Sequence, residues 1–315
     1  MQIVKYDDKY KQEWNELILN SKNGTFLLLR DYMDYHRSRY RDCSLLFLEK
    51  GKLQGCLPAN FTDNTVYSHG GLTYGGLIAH PEVNYIQVEE MLDTALEYYK
   101  DTFLTRKFIY KPIPYIYHTY PAQEDLYWLF RKNAHTVARA ISSTIDLQKP
   151  LELSTLRKRH ATRAQNNGIT VRESKDANDW NAFWIILSTV LLKYHDCKPV
   201  HSIDEIKLLK SHFPDNIKLI TALYDRKIVA GCVTYLTKEV IHVQYIASND
   251  IGRDLGALDL LFQTMIKASE CKSYHYLDFG ISTEHEGTYL NNGLLFQKEG
   301  FGGRAICYDQ YEIDL

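Results

Sequence analysis

The chain has 315 residues, enough for one large domain or two ordinary ones, because a single hydrophobic core stops growing at about 250 to 300 residues. Hydrophobic residues make up 45% and charged residues 24% of the sequence, which is ordinary for a globular protein and excludes disorder and collagen-like repeats. The formal net charge of −2 gives no overall attraction to nucleic acid or to an acidic membrane surface. DNA is therefore not an expected partner, and any site for a polyanion must be local.

Targeting and metal signals are weak. The beginning, MQIVKYDDKYKQEW, is too charged for a secretory signal, and the longest apolar run, 183–192 (FWIILSTVLL), has about half the length of a membrane span. The six cysteines form no C-x-x-C pair, and the cluster 194–201 (YHDCKPVH) fits no common zinc spacing. The sequence predicts a cytoplasmic protein with reduced thiols, no metal and no membrane insertion.

The first half of the chain contains a pattern that the second half repeats. Segment 44–61 has the pattern of a strand, a turn and a second strand, and segment 218–236 has the same pattern, with Gly231 and Cys232 standing where Gly55 and Cys56 stand. Two further matches follow in the same order, 129–132 with 295–298 and 143–147 with 311–315. Matches in one order with a nearly constant offset indicate duplicated domains, which we place at 1–149 and 150–315.

The elements of the second half can be predicted in order. They are a helix at 175–195, the hairpin at 218–236, a strand at 240–248, a loop at 249–256, a helix at 257–270, a strand at 274–282, a short helix and a final strand. The helix at 257–270 is predicted because Leu258, Leu261, Phe262 and Met265 fall on one helical face. Strands and helices that alternate in both halves predict a mixed α/β (α+β) protein. This order of elements resembles the GNAT acyltransferase fold.

Several motifs extend the resemblance. The segment 156–169 (LRKRHATRAQNNGI), the run that ends in YIASND, and the segment 291–304 (NNGLLFQKEGFGGR) are similar to tandem-GNAT proteins related to the FemAB peptidoglycan-bridge aminoacyltransferases. The similarity covers nearly the whole chain and is strongest over 218–304. It implies two tandem GNAT-like domains, each a mixed central sheet flanked by helices, and the transfer of an acyl or aminoacyl group to an amine.

The resemblance also implies where a donor binds. GNAT enzymes hold the pyrophosphate of acyl-CoA with backbone N–H groups at the start of a helix. Their sequence pattern is [QR]-x-x-G-x-[GA]. The segment from Arg253 to Leu258 matches this pattern except at the last position, which is Leu258. Acetyl-CoA or another acyl-CoA would then be bound by a donor segment made of Ile251, Gly252, Arg253, Asp254, Leu255, Gly256 and Ala257. Alternatively, the two glycines only permit the turn.

A basic helix is the second candidate for a phosphate contact. FemAB-type enzymes take their amino acid from aminoacyl-tRNA, and a tRNA ligand needs a basic face. Basic residues are concentrated enough only at 157–160 and Arg163. Arg157, Arg159 and Arg163 are predicted to hold phosphates of the donor or the acceptor. The alternative is a solvated helix between the domains.

Candidate catalytic groups lie on the two central strands. His242 and Gln244 should share a face because strand side chains alternate, and a histidine there could take the proton of the attacking amine. Tyr245 on the same strand and Asp278 on the other complete the set. The alternative interpretation of His242 is a structural histidine.

Lys298 is the best supported candidate. Fem-type transferases carry a Phe-Lys-x-Gly-Phe run with a lysine implicated in handling the donor, and the chain reproduces its last four positions at 298–301, with Gln297 before them. Such a lysine could stabilise an oxyanion or bind a phosphate. Alternatively, it is an exposed lysine favoured by the dipole at a helix C-terminus.

The acceptor side is less defined. The stretch 110–121 (YKPIPYIYHTYP) is predicted to be a rigid loop whose aromatic side chains form the wall of a pocket, together with residues of HGGLTYGG at 69–76. The predicted substrate contacts are Tyr74, Gly75, Gly76, Tyr115, Tyr117, His118 and Asn292. Ordinary packing of these loops is the alternative.

Together these features predict an N-acyltransferase that moves an acyl group from acyl-CoA to an amine on a small molecule or a cell-envelope precursor. One alternative is an aminoacyl-tRNA-dependent enzyme of the FemAB type that acts on a peptidoglycan precursor. Another is a non-catalytic binding protein that kept the duplicated fold.

Overall fold

The computed structural model describes residues 1–270 and 274–315. The chain forms two compact units, unit 1 (Met1–Ile141, Thr283–Tyr289 and Cys307–Leu315) and unit 2 (Ser142–Ser282 and Leu290–Ile306). Each unit is built from β-strands flanked by helices, which confirms the predicted mixed α/β class. The predicted domain boundary between residues 149 and 150 stays a prediction.

The helices and strands have the following bounds. The first part of the chain forms β1 (Gln2–Lys5), α1 (Lys11–Asn20), α2 (Arg30–Met33), β2 (Arg41–Asp42), β3 (Leu45–Glu49), β4 (Lys52–Leu57), β5 (Asn60–Thr62), β6 (Thr65–Tyr67), β7 (Ile78–Ala79), α3 (Tyr85–Phe103), β8 (Lys107–Tyr110), α4 (Glu124–Arg131) and β9 (His135–Asp146). The second part forms α5 (Thr155–Asn166), β10 (Thr170–Glu173), α6 (Ala177–His195), α7 (Ile203–His212), β11 (Ile217–Tyr224), β12 (Lys227–Leu236), β13 (Val240–Ser248), α8 (Asp250–Leu255), α9 (Ala257–Glu270), β14 (Tyr276–Ile281), β15 (Thr283–Glu284), β16 (Tyr289–Leu290), α10 (Asn292–Glu299) and β17 (Arg304–Asp314). Short 3-10 helices lie at Asp8–Tyr10, Phe26–Leu28, Asp34–Arg39, Tyr115–Tyr117 and His285–Gly287.

Unit 1 buries one face of α3. The helix begins at a capping box, in which the Asn84 side chain accepts from the backbone of Gln87 and the Gln87 side chain accepts from the backbone of Asn84. Its apolar residues recur at helical spacing and are buried, namely Val88, Met91, Leu92, Ala95 and Tyr99. They join a core cluster with residues of β3, β4 and β8. The strands of this unit follow the orders β1-β3-β4-β7 and β17-β8-β6-β5-β2.

Unit 2 contains the sheet that positions the candidate site. Its strand order is β10-β11-β12-β13-β14, followed by the end of β9. Neighbouring strands are antiparallel except β13 and β14, which run parallel. In the described part of the chain, the parallel pairing joins only residues 240–242 to residues 276–278. The later residues of the two strands are therefore free to line a cavity.

Helices cover both faces of this sheet. Helices α5 and α9 contribute Ala161, Ala164, Leu261 and Phe262 to a buried cluster with the strands. On the other face, α6 places the ring of Phe183 so close to Gly231 that a Cβ on that glycine would lie 2.6 Å from a ring carbon. None of the described helices is both long enough and apolar enough to cross a lipid bilayer.

The predicted loop at 249–256 is wrong, since most of it forms the helix α8. Asn249 caps this helix, because its side-chain oxygen accepts from the backbone N–H of Gly252 at 2.9 Å. Gly256 ends it in the left-handed conformation, with φ of 80°. The neighbouring predictions are confirmed, because β13 spans Val240–Ser248 and α9 spans Ala257–Glu270.

Five of the six cysteines lie among the described residues. Those without a disulfide are Cys43, Cys56, Cys197, Cys232 and Cys307. Burial raises the pKa of the thiols of Cys43, Cys56 and Cys232, so these three remain protonated. Cys271 lies outside the described residues.

Candidate active site

A buried histidine–carboxylate pair lies where β13 and β14 stop pairing. His242 and Asp278 stand opposite each other in the parallel ladder, and His242 Nδ1 lies 2.8 Å from Asp278 Oδ2. The other carboxylate oxygen accepts hydrogen bonds from the hydroxyls of Ser142 and Thr144. Burial would raise the pKa of Asp278, but the hydrogen bond and charge of His242, together with the two hydroxyls, hold that pKa below its usual range. An ionised Asp278 therefore fixes the imidazole of His242, whose side chain keeps 14% of its surface exposed.

Tyr245 makes a different set of contacts on the same strand. Its hydroxyl lies 2.6 Å from His201 Nδ1, and its ring packs edge-on against Trp184 at 5.2 Å. Burial raises the pKa of Tyr245 to about 12, so the phenol stays protonated. These are contacts of a packed residue, and its predicted catalytic role stays a prediction.

A β-bulge separates His242 from Tyr245. Val233 on β12 pairs with Tyr245, whereas the next residue, Thr234, pairs with Val243. Gln244 is therefore the inserted residue of the bulge. His242 and Gln244 are nevertheless both partly exposed between buried neighbours, which agrees with the predicted shared face. A bulge of this kind cannot be predicted from the period-2 pattern of the sequence.

A cavity of about 250 Å³ lies next to the end of the parallel pairing. Strand β13 contributes Ile246, Ala247 and Ser248, and β14 contributes Phe279. The remaining lining residues come from the helices and the turn after α10, namely Val190, Arg253, Leu258, Phe262, Leu294, Gln297, Lys298 and Phe301. We call this cavity the inner cavity. Because its lining is largely apolar, the inner cavity suits an acyl or alkyl chain rather than a charged group.

Lys298 brings an amine into this apolar wall. Its Nζ donates to the backbone oxygens of Gly280 at 2.8 Å and Ile281 at 2.6 Å, and only 4% of the residue is exposed. Burial lowers the pKa of Lys298 to about 8, and the carboxylate of Asp278 opposes that shift. The alternative of an exposed lysine at a helix end is therefore wrong.

The repeated sequence motif gives this lysine a natural comparison. Lys132 occupies the matching place at the end of α4 in unit 1, but it is exposed and its Nζ lies 2.8 Å from Asp93. The duplicated motif thus carries a buried amine in unit 2 and a solvated one in unit 1. This difference favours unit 2 as the place of any chemistry.

The donor segment forms part of a helix rather than an open loop. The amides of Gly252 and Arg253 donate to the side chain and backbone of Asn249, so both are used inside the fold. Gly252 also lies against β12, where a Cβ would come within 2.4 Å of the Val229 oxygen. These contacts give both amides a partner within the fold and give Gly252 a packing role, without any ligand. The side chain of Arg253 is exposed and lines the inner cavity. Donor binding by residues 251–257 stays a prediction.

The basic helix α5 presents fewer available charges than its sequence suggests. Arg157 Nη1 lies 2.9 Å from Asp259 Oδ1, and both side chains are largely buried. Arg157 therefore ties α5 to α9. Arg159 and Arg163 are exposed one helical turn apart, so the predicted phosphate contact depends on these two.

The predicted substrate residues of unit 1 fall into two groups. Tyr115 and His118 line an open cavity of about 670 Å³. Tyr117 is buried, and its hydroxyl lies 2.8 Å from the hydroxyl of Tyr308. Three more are buried within the fold, namely Tyr74, Gly75 and Gly76. Asn292, the first residue of α10 in unit 2, is exposed. A substrate role for each of them stays a prediction.

The loop at 69–76 is held by buried polar contacts. Lys111 Nζ donates to the backbone oxygens of His69 and Leu72. The ring of His69 packs against those of His36 at 5.5 Å and Tyr40 at 5.4 Å. Burial, and then the nearby charge of His36, lowers the pKa of His69 to about 3. His69 is thus neutral in the folded protein over a wide range of pH.

Acid should destabilise unit 1 through His69. Because its pKa is 6.5 unfolded and about 3 folded, the unfolded chain binds a proton that the folded chain does not, and stability falls as the pH drops below 6.5. His69→Asn, which tolerates the positive φ of 65° at this position, should move acid unfolding to lower pH. Far-UV circular dichroism during acid titration checks this. The matched control is His135→Asn at a histidine with a side chain 57% exposed, and an equal shift in both variants would contradict the prediction.

The sequence did not single out Ser142 and Thr144. These two residues are two positions apart on β9, so their side chains lie on the same face of the strand, as the sequence spacing indicates. Their partner Asp278 is 136 and 134 positions away, and the register that joins β9 to β14 is a long-range property.

The architecture and the site define a class. Two parallel central strands that stop pairing, an apolar cavity beside that point and a helix after the first of them are the features expected of a GNAT domain. The described residues 1–270 and 274–315 contain no group of three or more His, Cys, Asp or Glu side chains placed to hold a metal ion.

Comparisons with known proteins agree. Residues 154–287 are similar to the family described as an acetyltransferase (GNAT) domain, and this similarity supports acyl transfer as the class of chemistry. The crystal structure of FemX is similar, with a TM-score of 0.71 and 13% identity over 100% of this chain and 98% of that chain.

Two further solved structures share the fold. L-PGS from Bacillus licheniformis has a TM-score of 0.63 and 12% identity, over 98% of this chain and 92% of that chain. A tandem GNAT protein from the clavulanic acid biosynthesis pathway has a TM-score of 0.54 and 9% identity, over 99% of this chain and 98% of that chain. At such identities the likeness establishes the fold alone, and it agrees with tandem GNAT-like domains. A search of curated protein sequences finds no match.

Proposed function

We propose that unit 2 transfers an acyl group from acyl-CoA to a primary amine. The observation that carries this proposal is the apolar inner cavity beside the His242–Asp278 pair, because it combines a place for an acyl thioester with a proton acceptor. In the reaction, the amine nitrogen bonds to the thioester carbonyl carbon and the carbon–sulfur bond breaks. His242 receives the proton that the amine loses, and CoA leaves as a thiolate that is then protonated.

The other buried groups support this chemistry. Asp278 holds the imidazole in one orientation and stabilises its protonated form, as a buried carboxylate does for a general base. Lys298, when protonated, places a positive charge where an oxyanion would develop on the thioester. The inner cavity would lower the barrier further by positioning the acyl group, since acyl transfer to an amine depends mainly on the proximity of the two reactants.

The acceptor is proposed as an amine on a small molecule or a cell-envelope precursor. A second donor, aminoacyl-tRNA, is favoured by one observation, the exposed Arg159 and Arg163 on α5. Two arginines give few phosphate contacts, and the affinity of a protein for RNA rises with the number of phosphates that it neutralises. Acyl-CoA is therefore the preferred donor.

Acetyl-CoA or a longer acyl-CoA should raise the melting temperature of the full chain. A ligand that binds only the folded state, at a concentration of 100 times its Kd, adds about 2.7 kcal/mol of stability. Differential scanning fluorimetry with a series of acyl-CoAs measures this, and release of free thiol in the presence of a panel of amines tests the transfer.

The outcomes separate the candidate functions. Stabilisation by acyl-CoA with thiol release supports the proposal, whereas stabilisation without transfer to any amine favours a binding protein. Failure of every acyl-CoA to stabilise the chain would overturn the proposal. Retention of aminoacyl-tRNA by the wild type, and its loss in a double variant with Arg159→Ala and Arg163→Ala, would then support the second donor.

A further inference from the structure

A second cavity adjoins the inner one. This outer cavity of about 240 Å³ lies along α6 and α8, and it shares Val190 and Arg253 with the inner cavity. Ile185, 69% exposed, forms part of its apolar wall. A ligand with an acyl end in the inner cavity therefore has a continuous path to a second binding surface.

Two cations and an aromatic ring are gathered in the outer cavity. Lys193 Nζ lies 5.1 Å and the Arg253 guanidinium carbon 4.9 Å from the centroid of the Tyr194 ring. Both cations also approach one carboxylate, because Asp250 lies 3.6 Å from Lys193 Nζ and 3.0 Å from Arg253 Nη2. Two positive charges thus share a single negative charge.

This local excess of positive charge points to an anionic ligand. The side chain of Asp250 is 73% exposed, so it can turn into solvent when a stronger anion arrives. A phosphate monoester carries about −1.5 to −2 charges near pH 7, more than the carboxylate that it would replace. The exposed Ile185 offers an apolar surface next to the charges for a planar base.

We propose that the outer cavity binds the 3′-phosphoadenosine end of CoA, with Lys193 and Arg253 holding the 3′-phosphate. The inference rests on the proposed function and adds the recognition of one donor group. A site for the 3′-phosphate would distinguish free CoA from donors that share the pantetheine chain but lack a 3′-phosphate. Such donors are dephospho-CoA and acyl groups carried on a phosphopantetheine arm.

The test compares the affinities of the full chain for CoA and dephospho-CoA, measured by isothermal titration calorimetry. Wild type should bind CoA about tenfold or more tightly, as expected for hydrogen bonds to a charged group. Lys193→Ala should weaken CoA binding by about that factor and leave dephospho-CoA binding unchanged. Asp250→Asn should increase the preference for CoA, because it removes the competing carboxylate.

A matched control is available on the same surface. Lys198 is also exposed and follows α6, but it does not line the outer cavity, so Lys198→Ala should retain the wild-type preference. Equal affinities of wild type for CoA and dephospho-CoA would overturn the inference and leave the proposed function standing. Binding of neither compound would overturn both.

Discussion

Replacing His242 with glutamine should lower the rate of acyl transfer by about 100- to 10,000-fold, the range that a general base contributes. Glutamine is similar in size and can still donate to Asp278, but it cannot take the proton of the attacking amine. The loss should fall on kcat, because His242 does not line the inner cavity in which the donor is proposed to bind. Steady-state kinetics with acetyl-CoA, together with its Kd for each variant, separate these effects.

The chain offers a matched control for this substitution. His275 also pairs with a carboxylate, that of Glu239 at 2.9 Å, but its side chain is 56% exposed and precedes β14. His275→Gln should therefore retain wild-type activity. Asp278→Asn should lower kcat as well, since it removes the charge that stabilises protonated His242. Full activity of His242→Gln with an unchanged Kd for the donor would show that His242 is not the base.

The sequence predicted the elements around the site better than their contacts. The sequence gives the bounds of both β13 and α9, and α9 can be predicted because its apolar residues follow the helical period. The sequence indicates both His242 and Asp278 as candidates because they lie on the two predicted central strands. Their pairing is a matter of register between strands, and only the folded sheet shows that they stand opposite each other.

Other contacts depend on tertiary structure throughout. A basic residue such as Arg157 has the same helical pattern whether it faces solvent or Asp259, so periodicity alone does not show that its charge is neutralised. The sequence also does not show whether Lys298 is buried, because the dipole at a helix C-terminus favours a lysine that is exposed to solvent as well. In the folded chain its Nζ donates to the backbone oxygens of Gly280 and Ile281, which belong to β14. The helical pattern of α10 does not show that this strand lies beside Lys298.

Lys298→Met should also lower kcat, by about 100- to 1,000-fold, if its ammonium group stabilises the developing oxyanion. Methionine keeps much of the length and volume of the side chain, so the inner cavity should keep its shape. Lys132→Met, at the matching place in unit 1, is the control and should leave the activity unchanged, because that lysine is exposed. An active Lys298→Met variant with wild-type kcat would exclude the electrostatic role.

The same substitution has a distinct signature in stability. The pKa of Lys298 is about 8 in the folded chain against 10.5 unfolded, so between these values the unfolded state binds a proton that the folded state does not. The free energy of unfolding of the wild type should therefore rise with pH across this window, by on the order of 3 kcal/mol relative to Lys298→Met. Urea denaturation of both proteins at a series of pH values measures this difference.

Activity and stability should then respond to alkali in opposite directions. Deprotonation of Lys298 removes the positive charge proposed to stabilise the oxyanion, so kcat should fall as the pH rises through about 8. The contribution of this residue to the free energy of unfolding rises over the same range, so the titration of Lys298 does not itself cause a loss of activity through unfolding. If kcat instead rose through that pH in the wild type but not in Lys298→Met, the neutral amine would be the active form, and Lys298 would act as a base rather than as a positive charge.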